Sequence, residues 1–247
     1  EAVKLGVIDR YSHDVSEAVR DADVVFLAVP LGAMRGAFDA MRATLPGHAL
    51  VTDGGSAKGS VVTDCREAAP ELLQRFVPGH PIAGTENNGV AASFAELYHN
   101  RRVILTPLPE NDPAAVARVR GLWETCGAEV TVMSVEHHDE VLAATSHLPH
   151  MLAFGLVDML ARMKENDEIF RYAAGGFRDF TRIASSNPVM WRDICIANRE
   201  ALSPMLAAYA EEMTALADSI AAADSDELLN IFERAKAARD RFVDGLN

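Results

Sequence analysis

The chain holds 247 residues, 49% hydrophobic and 24% charged, which excludes disorder and collagen-like repeats and leaves room for one large or two small domains. With 36 acidic against 23 basic residues its formal charge is -13, which excludes nucleic acid and an anionic membrane as the main partner but allows a small anion in a local basic pocket. The longest apolar stretch, 24 to 34, is too short for a bilayer and contains Pro30, and no charged-then-apolar export signal opens the chain, so a cytoplasmic protein is expected.

The chain opens at Glu1 without a methionine, in a segment, Glu1 to Gly6, that reads as the middle of a helix; a fragment or processed form is expected. From Asp14 to about Val135, short apolar runs alternate with helical patterns, the signature of an α/β parallel sheet. Strands are predicted at 24–29, 49–53, 75–78, 103–106 and 129–133, and helices at 15–20, 33–43, 58–69 and 113–126. The 24–29 run is apolar throughout, as for a strand covered on both faces. Asp14 with Glu17 fits a capping box, Asp112 before Pro113 fits a cap followed by a first-turn proline, and Gly127 fits a helix stop. After about Glu136 no strand candidate remains and the chain reads as successive helices. Asn187 before Pro188 starts one, Asp224 with Glu227 caps the last, and Pro149 and Pro204 should kink theirs. Apolar residues on more than one face of 190–220 suit either a dimer interface or a monomeric bundle. Cys65, Cys126 and Cys195 are odd in number and widely spaced, so reduced, mostly buried thiols are expected.

Three glycine-marked turns follow strands: 29–32 (Val-Pro-Leu-Gly), 53–59 (Asp-Gly-Gly-Ser-Ala-Lys-Gly) and 79–84 (Gly-His-Pro-Ile-Ala-Gly). In open α/β sheets ligands bind at the carboxyl ends of strands. The second turn sets small residues, a hydroxyl and Lys58 at a helix start, suited to an anion, or else is a tight turn with a solvent-facing lysine. His80, held between Gly79 and Pro81 at a strand end, suits a general base, although a lone histidine is more often structural. The helical half supplies His137, His138, Ser146, His147 and His150; Ser146 and His150 share a helix face, and His147 points elsewhere. A metal site is the rival reading of these histidines, but no spacing matches a zinc helix and no metal is expected. Arg178 and Arg182 stand a helical turn apart as a candidate carboxylate clamp, with an Asp179–Arg182 surface pair as the bland alternative. Trp191 alone reads as core or dimer packing.

Together the motifs at 53–59, 79–86, 144–150 and 175–184, with Met190-Trp191, resemble the prephenate and arogenate dehydrogenase family of tyrosine biosynthesis, in order and over essentially the whole chain. The resemblance implies a Rossmann-like dinucleotide-binding domain at 1–136, incomplete at its amino end, and an all-helical dimerisation domain at 137–247 that interlocks with its twin in a homodimer. It implies oxidative decarboxylation of prephenate, and also of arogenate in some members, with hydride passing to NAD or NADP. Carried over residue by residue, His80 is the catalytic histidine that accepts a hydrogen bond from the ring hydroxyl, and Ser56 stands beside it near the nicotinamide. Val29, Pro30 and Gly55 fall with Ser56 on the cofactor side. Arg182 binds the ring carboxylate. Ser146, His150, Thr85, Glu86 and His138 line the pocket, and Arg178 and Trp191 approach the partner's site. Asn187 stands where the family commonly has aspartate, which caps equally well. No Gly-x-Gly-x-x-Gly turn stands in the chain; a first strand, glycine turn, helix and second strand would need on the order of 30 residues upstream. Other readings are a related hydroxy-acid or imino-acid dehydrogenase, or a silent dimerisation or ligand-sensing module.

Overall fold

The computed structural model describes residues 1–84, 89–164 and 166–244. It divides into two compact units, Glu1–Leu202 and Ser203–Asn247.

The first unit opens with a turn, where a helix was predicted. Leu5 N–H reaches Glu1 at 3.0 Å, but Gly6 then takes φ 68° and ends the coil, and Val3, Leu5 and Val7 have no apolar partner face and stay exposed. Helix α1 (Val15–Ala18) follows, capped by Asp14 on the Ser16 amide; Glu17 bonds Ser12 Oγ, so the reciprocal half of the expected capping box is absent. Strands β1 (Val24–Leu27), β2 (Leu50–Asp53) and β3 (Phe76–Val77) pair in parallel in that order. Strand β1 stands first in this order, and Val24 and Phe26 are exposed among the described residues. Helices α2 (Met34–Met41) and α3 (Gly59–Ala68) connect these strands and bury Met34, Phe38, Met41, Val61 and Cys65 in the main core, where Phe38 packs edge-on to Phe76.

After β3 the chain departs from the predicted all-parallel pattern. Pro78 cannot donate to the ladder, and the chain resumes as β4 (Gly79–Pro81), which pairs antiparallel with β5 (Arg102–Leu105); β5 in turn pairs parallel with β6 (Glu129–Val132). Glycine is needed at 79, because a Cβ there would sit 3.1 Å from the Asp53 carbonyl oxygen and 3.3 Å from Thr52 Oγ1. Helix α4 (Pro113–Thr125) starts on the Asp112 cap, ends before Gly127 at φ 78°, and seals this sheet with Val119 and Trp123.

The remaining elements are helical, as the loss of strand patterns predicts: α5 (Val135–Leu142), a π turn (Ala143–His147), α6 (Leu148–Ala161), α7 (Asn166–Arg171), α8 (Gly175–Thr181), a 3-10 turn (Arg182–Ser185), α9 (Pro188–Ala197) and α10 (Arg199–Ala221). Asn187 caps α9 on two amides, as read from sequence. Pro149 lacks an amide proton and its ring crowds the carbonyl four residues back, and the preceding turn widens to the π form. Helix α9 rests on the Leu31–Ala33 turn so closely that a Cβ on Gly32 would lie 3.1 Å from the Asp193 carboxylate. In the second unit, α10 runs on through Pro204, and α11 (Ser225–Asp244) begins on the Asp224 cap. Of the three cysteines only Cys65 is buried, with its thiol pushed up to about 12 by desolvation; Cys126 is exposed, contrary to the expectation of mostly buried thiols. Among the described residues no helix is long and apolar enough to cross a membrane.

Candidate active site

The site is built around the carboxyl ends of β2 and β3, where an ion pair lies under the surface. Asp53, the last residue of β2, accepts from the Gly55 amide at 2.8 Å and the Gly79 amide at 3.0 Å, and it pairs with Lys58. The Lys58 ammonium also donates to the Gly79 carbonyl at 2.7 Å, and both charged side chains are wholly buried. Burial pulls the Lys58 pKa below the ordinary lysine value against the opposing pull of Asp53. Contrary to both sequence readings of its turn, Lys58 faces neither solvent nor an open anion site; it pairs inward with Asp53 and ties the turn after β2 to the start of β4.

His80 rises from that anchored strand and is 8% exposed. Its Nδ1 lies 2.9 Å from His138 Nε2, and His138 Nδ1 lies 2.8 Å from Asp139 Oδ1. Asp139 accepts at its two oxygens from the amides of Lys58 at 2.7 Å and Gly59 at 2.8 Å, the start of α3. Burial first, then the nearby Lys58, His138 and His147, hold the His80 pKa well below the ordinary histidine value, so its ring is neutral at pH 7. Burial pushes Asp139 upward, but hydrogen bonds from His138 and the two amides more than offset this and leave it below the usual carboxylate range.

A second polar chain lies alongside. Asn198 donates to the Asp139 carbonyl at 2.9 Å and stands 3.0 Å from His147 Nδ1. The amide nitrogen can only donate to that ring nitrogen, so His147 carries its proton on Nε2, which faces the Ser56 backbone. Desolvation lowers the His147 pKa to about 4. The π turn places His147 inside, 1% exposed, so the residue that sequence spacing directed elsewhere belongs to the site. The signal for Asp139, His147 and Asn198 was weak, because each is defined by a partner 51 to 81 residues away or by a bulge that spacing does not encode.

The other predicted residues fall into two groups. His150 donates from Nδ1 to the Ser146 carbonyl at 2.8 Å and stacks on Trp191 with ring centroids 3.7 Å apart. Trp191 is thus both packed and part of the rim, and Arg182 lies near enough to lower the His150 pKa further, after burial. Arg178 is exposed and stands 3.9 Å from Asp179, the carboxylate that sequence paired with Arg182. Thr85 and Glu86 lie outside the described residues.

The nicotinamide side can be tested on the glycine turn. A Cβ on Gly55 would meet Leu31 Cδ2 at 2.8 Å and Asp53 Oδ2 at 2.9 Å, so the backbone there is drawn flat onto the core. Val29 and Pro30 remain exposed on the adjoining rim, and Ser56 is half-buried. A flat floor, an apolar rim and one hydroxyl at the ends of two parallel strands fit a planar, weakly polar ring. Among the described residues no group of three or more His, Cys, Asp or Glu could hold a metal ion.

Comparison with known proteins identifies the family. The family profile for the prephenate dehydrogenase nucleotide-binding domain matches residues 1–132, and that for the dimerisation domain of the same enzymes matches 134–234. The chain belongs to the prephenate dehydrogenase family. Among family members, the cyclohexadienyl dehydrogenase of Zymomonas mobilis is 42% identical over 96% of this chain and 80% of its own length. The Bacillus subtilis prephenate dehydrogenase is 36% identical, and here the chain spans 65% of the relative. The solved prephenate dehydrogenase of Aquifex aeolicus, in complex with hydroxyphenyl propionate and NAD+, matches with a TM-score of 0.90 at 39% identity, over 98% of this chain and 84% of that one. The Synechocystis arogenate dehydrogenase matches with a TM-score of 0.81 at 27% identity, over 98% of this chain and 86% of that one.

Proposed function

We propose that this prephenate dehydrogenase family member oxidatively decarboxylates prephenate, and also arogenate, with NAD as the hydride acceptor, acting as a cytoplasmic homodimer. The observation that carries the reading is a neutral, buried His80 wired to a carboxylate beside the Ser56 turn. A proton acceptor of that kind is what loss of a ring hydroxyl proton requires. NAD, when bound against Val29, Pro30, Gly55 and Ser56, supplies the hydride acceptor.

His80 accepts the ring hydroxyl proton at Nε2 while Ser56 holds the same hydroxyl and keeps the ring oriented. As hydride leaves that carbon, the ring carboxylate departs as carbon dioxide and the ring becomes aromatic. Arg182 grips the carboxylate, and His150 and Trp191 form an aromatic wall along the ring. Ser146 lines the pocket, Thr85 and Glu86 are assigned to it by the family resemblance alone, and Arg178 reaches toward the partner's site; His138, wholly buried behind His80, supports the base and does not line the pocket. The domain limits follow the same reading, with the nucleotide-binding part at 1–136 and the helical part at 137–247. Support for NAD comes from the Aquifex relative solved with NAD+, and support for both substrates from the cyclohexadienyl dehydrogenase of Zymomonas. Exposed Val189, Met190, Ile196, Met213 and Ile220 supply apolar surface for a second copy.

The test is absorbance of reduced nicotinamide in the intact protein. Prephenate-dependent reduction is expected, with kcat/KM higher for NAD+ than NADP+. A silent module would reduce neither, and a higher kcat/KM with NADP+ would overturn the cofactor assignment. His80→Asn should lower kcat about 10²- to 10⁴-fold with little change in KM.

A further inference from the structure

We propose that Asp139, fixed on the first amides of α3, is the positioning residue that selects the tautomers of His138 and His80 and leaves Nε2 as the free basic nitrogen of His80. The inference rests on the assignment of His80 as the proton acceptor.

Each hydrogen bond in the chain fixes the proton of the next group. An ionised carboxylate can only accept, so the 2.8 Å contact to Asp139 requires the proton of His138 on Nδ1. In a neutral imidazole the other nitrogen is then an acceptor, so the 2.9 Å contact between His138 Nε2 and His80 Nδ1 requires that His80 donate. The lone pair of His80 is left on Nε2. Free histidine in water favours the opposite tautomer, so the arrangement is imposed by the fold. Asp139 holds its place because its oxygens also accept the Lys58 and Gly59 amides, where the helix favours a negative charge. The crowding is tight: a Cβ on Gly59 would sit 2.9 Å from Asp139 Oδ2.

The same chain accommodates the proton. The hydroxyl O–H bond breaks and an N–H bond forms at His80 Nε2; the Nδ1 proton can then pass to His138 Nε2, which leaves an imidazolium against the Asp139 carboxylate. No electrons move in this step. Among the described residues, the charged and titratable groups around the relay are Lys58 and Asp53 from the turn after β2, His147 from the π turn, and His150 with Arg182 beyond it. Lys58, His138 and His147 disfavour a charged His80, and Asp139 is the carboxylate placed to hold the charge once it has passed to His138.

Two measurements test this. Long-range proton–nitrogen NMR of histidine-labelled protein at pH 7, with signals assigned through His80→Asn and His138→Asn, should show both rings protonated on Nδ1. His80 protonated on Nε2 would overturn the proposal, whether or not any Asp139 variant folds. Asp139→Asn should lower kcat about 10- to 100-fold, a part of what a general base supplies, with KM changed less than about threefold. The acidic limb of its kcat/KM profile should move to lower pH, because the imidazolium loses its counter-charge. A fall in rate with an unmoved profile would mark a merely structural role and sink the relay. Should His80→Asn keep full turnover, the base assignment itself fails; should it lose turnover while Asp139→Asn matches the parent profile, only the relay fails.

Discussion

The buried ion pair at the ends of β2 and β4 and the arginine segment of α8 sit in one unit yet are built on opposite principles. Both carboxylate oxygens of Asp53 and the Lys58 ammonium have partners, both side chains are fully buried, and glycines 55 and 79 admit no Cβ without a shift. Helix α8 buries no described residue, Phe180 is 50% exposed, and Arg178 lies exposed 3.9 Å from its neighbour Asp179. The side proposed to accept the proton is therefore assembled in advance of any ligand, whereas the side proposed to bind the carboxylate stays open. Preorganisation is worth most where charge develops in the transition state, and a looser grip suits a carboxylate that must leave.

The sharpest way to break this contrast is at the ion pair. Lys58→Met strands a buried carboxylate and should destabilise the fold by about 3–5 kcal/mol in denaturant melts. A loss below about 1 kcal/mol would mean that the pair does not anchor β4. Arg182→Ala should instead leave the melt unchanged and weaken apparent prephenate affinity by about 2–4 kcal/mol. Unaltered KM would remove Arg182 from the clamp.

Acid should act on the preassembled side. His147 titrates at about 4 in the fold, against about 6.5 when unfolded, so below 6.5 the unfolded chain takes up a proton that the folded one refuses. Its contribution is whole above pH 6.5 and shrinks by about 1.4 kcal/mol per pH unit down to about pH 4. His80 is depressed in the same direction and adds to the slope. Melts of His147→Gln should show a shallower acid limb; an identical limb would exclude His147 as the source. The smallest effect belongs to Arg178→Ala, within about 0.5 kcal/mol of the parent in stability, because its ion pair is solvent-exposed.

Much of this was legible in the sequence. Caps at Asp112, Asn187 and Asp224, the stop at Gly127 and the strands 50–53 and 103–105 follow from local chemistry, since a side chain that bonds an amide two or three residues on needs nothing distant. His80 was found through its motif, but its strand was missed, because β4 exists only by pairing with β5 well further along the chain, and Gly79-His80-Pro81 has no strand pattern of its own.

By itself, then, the sequence determined the succession of elements, their ends, and the motif residues that mark a site, all fixed by contacts a few residues long. Tertiary structure alone decided that Lys58 turns inward, that the widened turn before Pro149 buries His147, and that Asp139 meets the start of α3 eighty residues away. These depend on long-range partners that desolvate charges and share hydrogen bonds, and no local pattern records which carboxylate will meet which amide.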